Sequence, residues 1–266
     1  MTYTELVETL RAAGCVFAED EAELLLDAVS ADARSYPAGD RGGLAELVAR
    51  RVAGEPLEYI LGWVEFCGLQ LRIDPGVFVP RQRTELLVEQ ARLLSPDPAV
   101  VLDLCCGCGA LGIALGSWLQ HVELHAVDIE QAAVECAREN VGMAGEVYLG
   151  DLFQPLPDRL RGRIDMLLAN VPYVPTAAIA FMPAEAREHE PLVTLDGGVD
   201  GQDVMRRVIA EAPAWLAPGG RLLIETSTAQ APAALDLLAA AGLEPALAED
   251  DERGATVIIG RLADRL

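Results

Sequence analysis

Apolar positions recur every three to four residues over the first ~55 residues of the chain, which is the period of an amphipathic helix. Leu6, Leu10 and Ala13 form one such series and Ala22, Leu25, Leu26 and Val29 a second, with Pro37-Ala-Gly39 breaking the run. A third helix is predicted from Gly43 to Val52 and ends at Gly54-Glu-Pro56. From Tyr59 to Val79 the pattern shortens to β-like runs, chiefly Phe66 to Ile73, punctuated by Gly62, Gly68 and the turn Asp74-Pro-Gly76. This predicts a hairpin linking two domains. Another helix follows Pro80, carries Leu86, Leu87, Ala91 and Leu94, and stops at Ser95-Pro-Asp-Pro98.

Strands and helices then alternate. The strands are Val100 to Leu104, Glu123 to Val127, Glu146 to Leu149 and Ile164 to Ala169, and the helices Ala110 to Leu119 and Gln131 to Asn140. A helix around Gln202 to Leu216, a strand at Arg221 to Glu225, a helix at Ala231 to Ala241 and a strand at Thr256 to Ile259 complete the series. Such alternation predicts an α/β domain with a mainly parallel sheet and helices on both faces.

Composition narrows the class. Hydrophobic residues make up 52% of the 266, but charges and turn residues interrupt them, so no stretch of ~18 apolar residues is available to span a bilayer. Met1 to Arg11 carries Glu5 and Glu8 and does not resemble a secretory signal, so a cytoplasmic location is expected. Six cysteines, three of them crowded at Cys105, Cys106 and Cys108, fit reduced thiols better than a disulfide framework. They lack the spaced second pair that a zinc site needs, and no metal is expected. A net charge of −22 argues against stable nucleic-acid binding, which rests on clustered basic residues.

The candidate chemistry begins where Val100-Val-Leu-Asp-Leu104 runs into Cys105-Cys-Gly-Cys-Gly109 and then a helix. Gly107 and Gly109 let backbone approach a ligand, and the first βα turn is where such sheets bind nucleotides. Asp103 is expected beside that ligand. Gly107 to Gly112 also satisfies the dinucleotide fingerprint, and Asp128 follows at the distance of a ribose-binding acid. These features fit a nicotinamide enzyme and a methyltransferase equally. Gly150-Asp151 after the next strand suits a contact to an adenine amino group. Ile129 and Leu152, which follow the two acids, are placed at the same ligand.

Asn170-Val-Pro-Tyr173 ends the fourth strand of the sheet and suits methyl transfer to a planar amide nitrogen. Such a nitrogen is a weak nucleophile because its lone pair is delocalised. Fixed oxygens that accept its N–H hydrogens and a ring beneath its plane would align it with an activated methyl group. The Asn170 side chain and the Val171 carbonyl are the candidate acceptors, Pro172 holds Val171 extended, and Tyr173 is the candidate platform. A turn-forming asparagine and a core aromatic are the plainer alternatives at 170 and 173.

Taken together the chain resembles the HemK-type protein-(glutamine N5) methyltransferases. The resemblance is carried by Gly54-Glu-Pro-Leu-Glu-Tyr-Ile-Leu-Gly62, Asp74-Pro-Gly-Val-Phe-Val-Pro-Arg81 with Thr84-Glu85, the cofactor loop, Gly150-Asp-Leu-Phe153, Asn170 to Tyr173, Glu190-Pro191, Leu195-Asp-Gly-Gly198 and Pro218-Gly-Gly220. It implies a Rossmann-like, seven-stranded class I methyltransferase domain whose last strand pairs antiparallel, preceded by a small helical domain and a hairpin linker. The implied boundaries are 1–55 for a substrate-recognition domain, 56–80 for the linker and 81–266 for the catalytic domain. It also implies S-adenosylmethionine as cofactor and, as acceptor, the glutamine of the Gly-Gly-Gln loop in a peptide-release factor. Phe78, Pro80 and Arg81 are carried into the cofactor and substrate cleft, with Thr84 and Glu85 behind them. Two positions depart from the family: Cys105 stands where Gly is usual, and Val171 where the tetrapeptide is usually Asn-Pro-Pro-Tyr. These departures leave open a small amide or amine as acceptor, or a paralogue that binds the cofactor without turnover.

Overall fold

The computed structural model describes residues 1–30 and 42–264, so the expected break at Pro37-Ala-Gly39 lies outside the described residues. Helix α1 (Tyr3–Ala12) opens on a capping box, in which the Glu5 N–H donates to Thr2 Oγ1 and the Thr2 N–H to Glu5 Oε2. It packs with α2 (Ala18–Val29) and α3 (Leu44–Val52) around Leu6, Leu10, Leu25 and Leu47. Ile60 joins the same core from α4 (Leu57–Leu61), a one-turn helix inside the segment expected to begin the hairpin linker. Five residues are too few to show a helical period. The Tyr59 hydroxyl donates to the Val77 carbonyl at 2.7 Å and ties this turn to the far side of the hairpin.

Strands β1 (Trp63–Phe66) and β2 (Leu69–Arg72) form that hairpin as an antiparallel pair. Its turn is Cys67-Gly68, both left-handed at φ 51° and 73°, a geometry whose twist matches the flanking strands. Helix α5 (Glu85–Leu94) then leads into the large sheet.

Seven strands make that sheet: β3 (Ala99–Leu104), β4 (Val122–Asp128), β5 (Gly145–Leu149), β6 (Ile164–Ala169), β7 (Leu216–Thr226), β8 (Leu243–Asp250) and β9 (Ala255–Leu262). Their spatial order is β5-β4-β3-β6-β7-β9-β8, with β9 antiparallel to both neighbours and the other pairs parallel. Helices α6 (Ala110–Trp118), α7 (Gln131–Val141), α8 (Ala184–His189), α9 (Asp203–Glu211) and α10 (Ala231–Ala240) complete the domain. Alternate residues of each inner strand enter opposite cores. Val101, Met166 and Leu168 pack on one side, and Leu102, Leu104, Leu167 and Ala169 on the other. Period-two burial on both faces is the reason these strands read as nearly unbroken apolar runs.

The fold class is the one expected. Chain order runs outward from β3 through β4 to β5, then returns to β6 on the other side of β3. A crevice opens at the carboxyl ends of strands where the order reverses in this way. The loop after β3 and the tetrapeptide after β6 therefore meet by topology. Among the described residues no helix is long and apolar enough to cross a membrane.

Candidate active site

The loop after β3 owes its shape to three left-handed residues, Cys105 at φ 56°, Gly107 at 55° and Gly109 at 84°. Two are glycines, which adopt this conformation freely. Cys105 is not, and a side chain there is held against its preference. The Gly107 N–H donates to Asp128 Oδ2 at 2.9 Å, and the Glu130 N–H to Asp128 Oδ1 at the same distance. Asp128 thereby joins the ends of β3 and β4. It is buried, and burial pushes its carboxyl above the ordinary range, with the backbone N–H donors pulling the other way. The Gly150 N–H donates to the Asp128 carbonyl and brings the end of β5 alongside.

These strand ends wall a cleft that holds Phe78, Cys105, Gly107, Asp128, Ile129, Asp151, Leu152, Asn170 and Pro172 of the residues singled out in the sequence. Val193, Thr194 and Arg207 also line it, and Arg207 pairs with Asp151 at 2.6 Å. Nothing local in the sequence marks these three. They sit on a 3-10 turn (Leu192–Thr194) and on α9, 40 or more positions from Asp151.

Four expected cofactor residues stand elsewhere. Gly109 lies behind the loop at the start of α6, where a Cβ would press Ile113 and Val141. Asp103 lies beneath it, with no exposed surface. Its Oδ2 accepts the Gly112 N–H at 2.9 Å, its Oδ1 has no partner among the described residues, and burial pushes the carboxyl up to about 8. Gly112 has no room for a side chain against Leu124 and Asp103, so its part is close helix-to-strand packing. Arg81 turns away from the cofactor cleft. Its guanidinium lies 2.6 and 2.8 Å from the two oxygens of buried Glu190 and 4.9 Å from the centre of the Phe78 ring. Pro80 lines a small adjoining cavity with Phe78, Cys105 and Asn170.

Arg81 belongs to a second cleft, of about 310 Å³, lined also by Glu58, Arg83, Val171, Tyr173, Glu185 and Glu190. Phe78, Asn170 and Thr194 line both clefts, so the two meet at these side chains. Asn170 donates from Nδ2 to the Thr84 hydroxyl at 3.4 Å, and its Oδ1 accepts no hydrogen bond from the described residues. The Tyr173 hydroxyl accepts from Arg83 Nη2 at 2.7 Å and donates to Glu225 Oε1 at 3.1 Å. Burial, reinforced by Glu225, pushes the Tyr173 phenol up to about 12 and keeps it protonated near neutrality.

S-adenosylmethionine carries an adenosine, a sulfonium and an amino acid, and the residues present fit it. Asp128 at the end of β4 is the type of group that takes ribose hydroxyls. The bare Gly107 backbone admits close approach. Acidic walls suit a cationic cofactor.

Comparison with known proteins agrees. Residues 68–186 match the family model described as Methyltransferase small domain. A methyltransferase structure from Pyrococcus furiosus shares the fold at a TM-score of 0.55 and 16% identity, covering 74% of this chain and 90% of that one. A Thermus thermophilus 16S rRNA N2 G1207 methyltransferase, solved with AdoMet and guanosine, aligns at a TM-score of 0.54 and 19% identity over 75% of this chain and 49% of its own. Fold and site together define a class I, S-adenosylmethionine-dependent methyltransferase.

The sequence relatives are narrower. The release factor glutamine methyltransferase of Geobacter sulfurreducens is 39% identical over 217 residues, 80% of this chain and 75% of its own. That of Bradyrhizobium diazoefficiens is 35% identical over 263 residues, 90% of this chain and 85% of its own. The chain belongs to the release factor glutamine methyltransferase family.

Proposed function

We propose that this protein transfers a methyl group from S-adenosylmethionine to the side-chain amide nitrogen, N5, of a glutamine in a peptide-release factor, the Gly-Gly-Gln loop being its target. The carrying observation is Asn170, which lines both clefts and leaves its carboxamide oxygen without a partner among the described residues. A group so placed reaches an acceptor from one cleft and a cofactor in the other.

The bound cofactor supplies a methyl group already activated on a sulfonium. The protein's part is alignment. Gly107, Asp128 and Asp151, with Phe78, Ile129 and Leu152, hold the cofactor. The acceptor amide gives its N–H hydrogens to Asn170 Oδ1 and the Val171 carbonyl while its plane rests on Tyr173, an arrangement that favours the nitrogen lone pair facing the methyl group. Pro172 restricts Val171 to extended backbone, so loss of the family's first proline leaves that carbonyl available. Thr84 is a positioning residue that occupies Asn170 Nδ2 and leaves the oxygen for substrate.

The helical unit, residues 1–55, is proposed to recognise the protein substrate, with 56–80 as linker and 81–266 as the catalytic domain. Ile60, from the linker side of that boundary, completes the helical core, and Pro56 and Glu58 carry the chain from it into the wall of the acceptor cleft, so the helical unit is joined to the acceptor cleft through the linker. Such a substrate implies a cytoplasmic setting, and the net charge of −22 fits a partner that is protein rather than nucleic acid.

The test is intact-mass spectrometry of purified release factors incubated with the protein and S-adenosylmethionine, followed by peptide mapping. A single added methyl on the Gly-Gly-Gln glutamine is expected. An unmodified release factor beside demonstrated cofactor binding would overturn the assigned acceptor and turn the search to small amides.

A further inference from the structure

Tyr173 is held at both ends by side chains from other elements of the domain. At its hydroxyl, Glu225 Oε1 accepts from the tyrosine at 3.1 Å and from Arg83 Nε at 3.1 Å, while Arg83 Nη2 donates to the tyrosine oxygen at 2.7 Å. The three groups close a ring of hydrogen bonds. Glu225 is 1% exposed at the carboxyl end of β7, and its second oxygen is buried without a partner among the described residues. A buried carboxylate is costly unless it is paired and hydrogen-bonded, and here the compensation comes through Oε1, from Arg83 and Tyr173.

At the backbone end, Gln230 Nε2 donates to the Tyr173 carbonyl and to the Asp200 carbonyl, each at 3.0 Å. The orientation of that amide is itself fixed. Its Oε1 accepts from the Ser227 hydroxyl at 2.7 Å and from Thr226 Oγ1 at 3.4 Å, so both donors and both lone-pair directions of the carboxamide are used. Gln230 is 9% exposed at the start of α10, and these bonds join β7, the loop before α9 and the tetrapeptide. Four satisfied bonds on one buried amide form a rigid joint.

We infer that Glu225 and Gln230 are positioning residues for methyl transfer. They set the plane and height of the Tyr173 ring against Asn170, Glu225 through the hydroxyl with Arg83 and Gln230 through the carbonyl. The inference rests on the proposed reading of Tyr173 as the surface that carries the acceptor amide. Neither residue touches a reacting atom. Their effect belongs to alignment, so loss of either lowers kcat and leaves cofactor binding and KM for the acceptor nearly unchanged.

The experiment is a double-mutant cycle on the full chain, with kcat, KM and cofactor Kd measured against a release factor. Glu225→Gln weakens the acceptor at the tyrosine hydroxyl and is expected to lower kcat about tenfold, with KM and Kd within about twofold. In a Tyr173→Phe background, which has no hydroxyl to hold, the same substitution should change kcat less than about twofold. Effects that multiply independently in the two backgrounds would overturn the inference. Should Glu225→Gln fail to fold, Glu225→Asp keeps the charge and withdraws it by one methylene, and the same kcat loss and the same cycle apply. Gln230→Glu, which replaces the amino group that donates to both carbonyls by one oxygen, should reproduce the kcat loss, and an unaltered kcat would remove Gln230 from the role. If the wild-type protein leaves the release factor unmethylated, the acceptor assignment fails separately. The joint is then read by hydrogen–deuterium exchange over residues 170–174: faster exchange in Glu225→Asp and Gln230→Glu supports it, and unchanged exchange refutes it.

Discussion

The Asn170 carboxamide is anchored to the Thr84 hydroxyl, 3.4 Å away and 86 positions earlier in the chain. One end of the amide is thereby committed to the protein, and the other faces the junction of two clefts. Thr84 is buried at 2% exposure just before α5, so it is a fixed point and not a mobile surface hydroxyl.

Two substitutions separate the reacting group from its support. Asn170→Ala is expected to cut turnover by at least ~100-fold while cofactor affinity stays near the wild-type value, as for a group that orients the nucleophile. Thr84→Val keeps the shape and removes the oxygen, and a loss of about fivefold in kcat corresponds to one ordinary hydrogen bond. Steady-state kinetics with calorimetric cofactor titration checks both. Undiminished turnover in Asn170→Ala would end its assigned role.

At Cys105 the backbone conformation decides what a substitution does. With φ at 56°, glycine is accommodated and a β-branched residue is not. Cys105→Gly should keep the urea midpoint of unfolding close to that of the wild type, whereas Cys105→Val should lose ~2 kcal/mol of stability through left-handed strain. Equal stability in the two variants would show that the loop relaxes out of this conformation. The family's usual glycine at this position is what such geometry favours.

The parallel strands and the meeting of the cofactor loop with Asn170 were legible because each inner strand is an apolar run ending at a turn, and topology does the rest. What was illegible has local causes. Strand β8 carries Glu244, Pro245, Glu249 and Asp250 on an exposed sheet edge, where charge and proline are tolerated and no alternation develops. Helix α8 spans six residues, too few for a period. Arg81 was carried into the cofactor and substrate cleft by the resemblance of the Phe78-to-Arg81 segment, and its partner Glu190, 109 positions on, holds it on the acceptor side. Glu225 and Gln230 are ordinary residues of a strand end and a helix start until the sheet brings Tyr173 beside them.

Asp103 gives the protein a pH dependence of definite sign. Burial raises its carboxyl from an ordinary 3.8 to about 8, with the Gly112 N–H opposing the shift. Between those values the folded state keeps a proton that the unfolded chain has released, so this residue's contribution makes stability fall as pH rises from about 4 to about 8. Asp103→Asn removes the titration. Urea midpoints of cofactor-free protein at pH 5 and pH 8 should therefore diverge more for the wild type than for the variant, and parallel losses would show that Asp103 is ionised throughout.

Gly201 offers the sharpest separation of site geometry from cofactor binding. Its φ of 77° is left-handed, and a Cβ there would overlap both the Tyr173 carbonyl oxygen and Gln230 Nε2. Gly201 lies outside the lining of the cofactor cleft, so Gly201→Ala should leave cofactor affinity within about twofold of wild type. The added methyl must displace either the tyrosine carbonyl or the amide that holds it. Displacing the carbonyl shifts the Tyr173 ring relative to Asn170, and a misplacement of about 1 Å in an aligned site costs on the order of 100-fold in rate. Turnover should therefore collapse while calorimetry still reports a bound cofactor. Were turnover retained, the carbonyl of Tyr173 would have room to move without consequence, and the acceptor amide would not depend on a fixed ring beneath it.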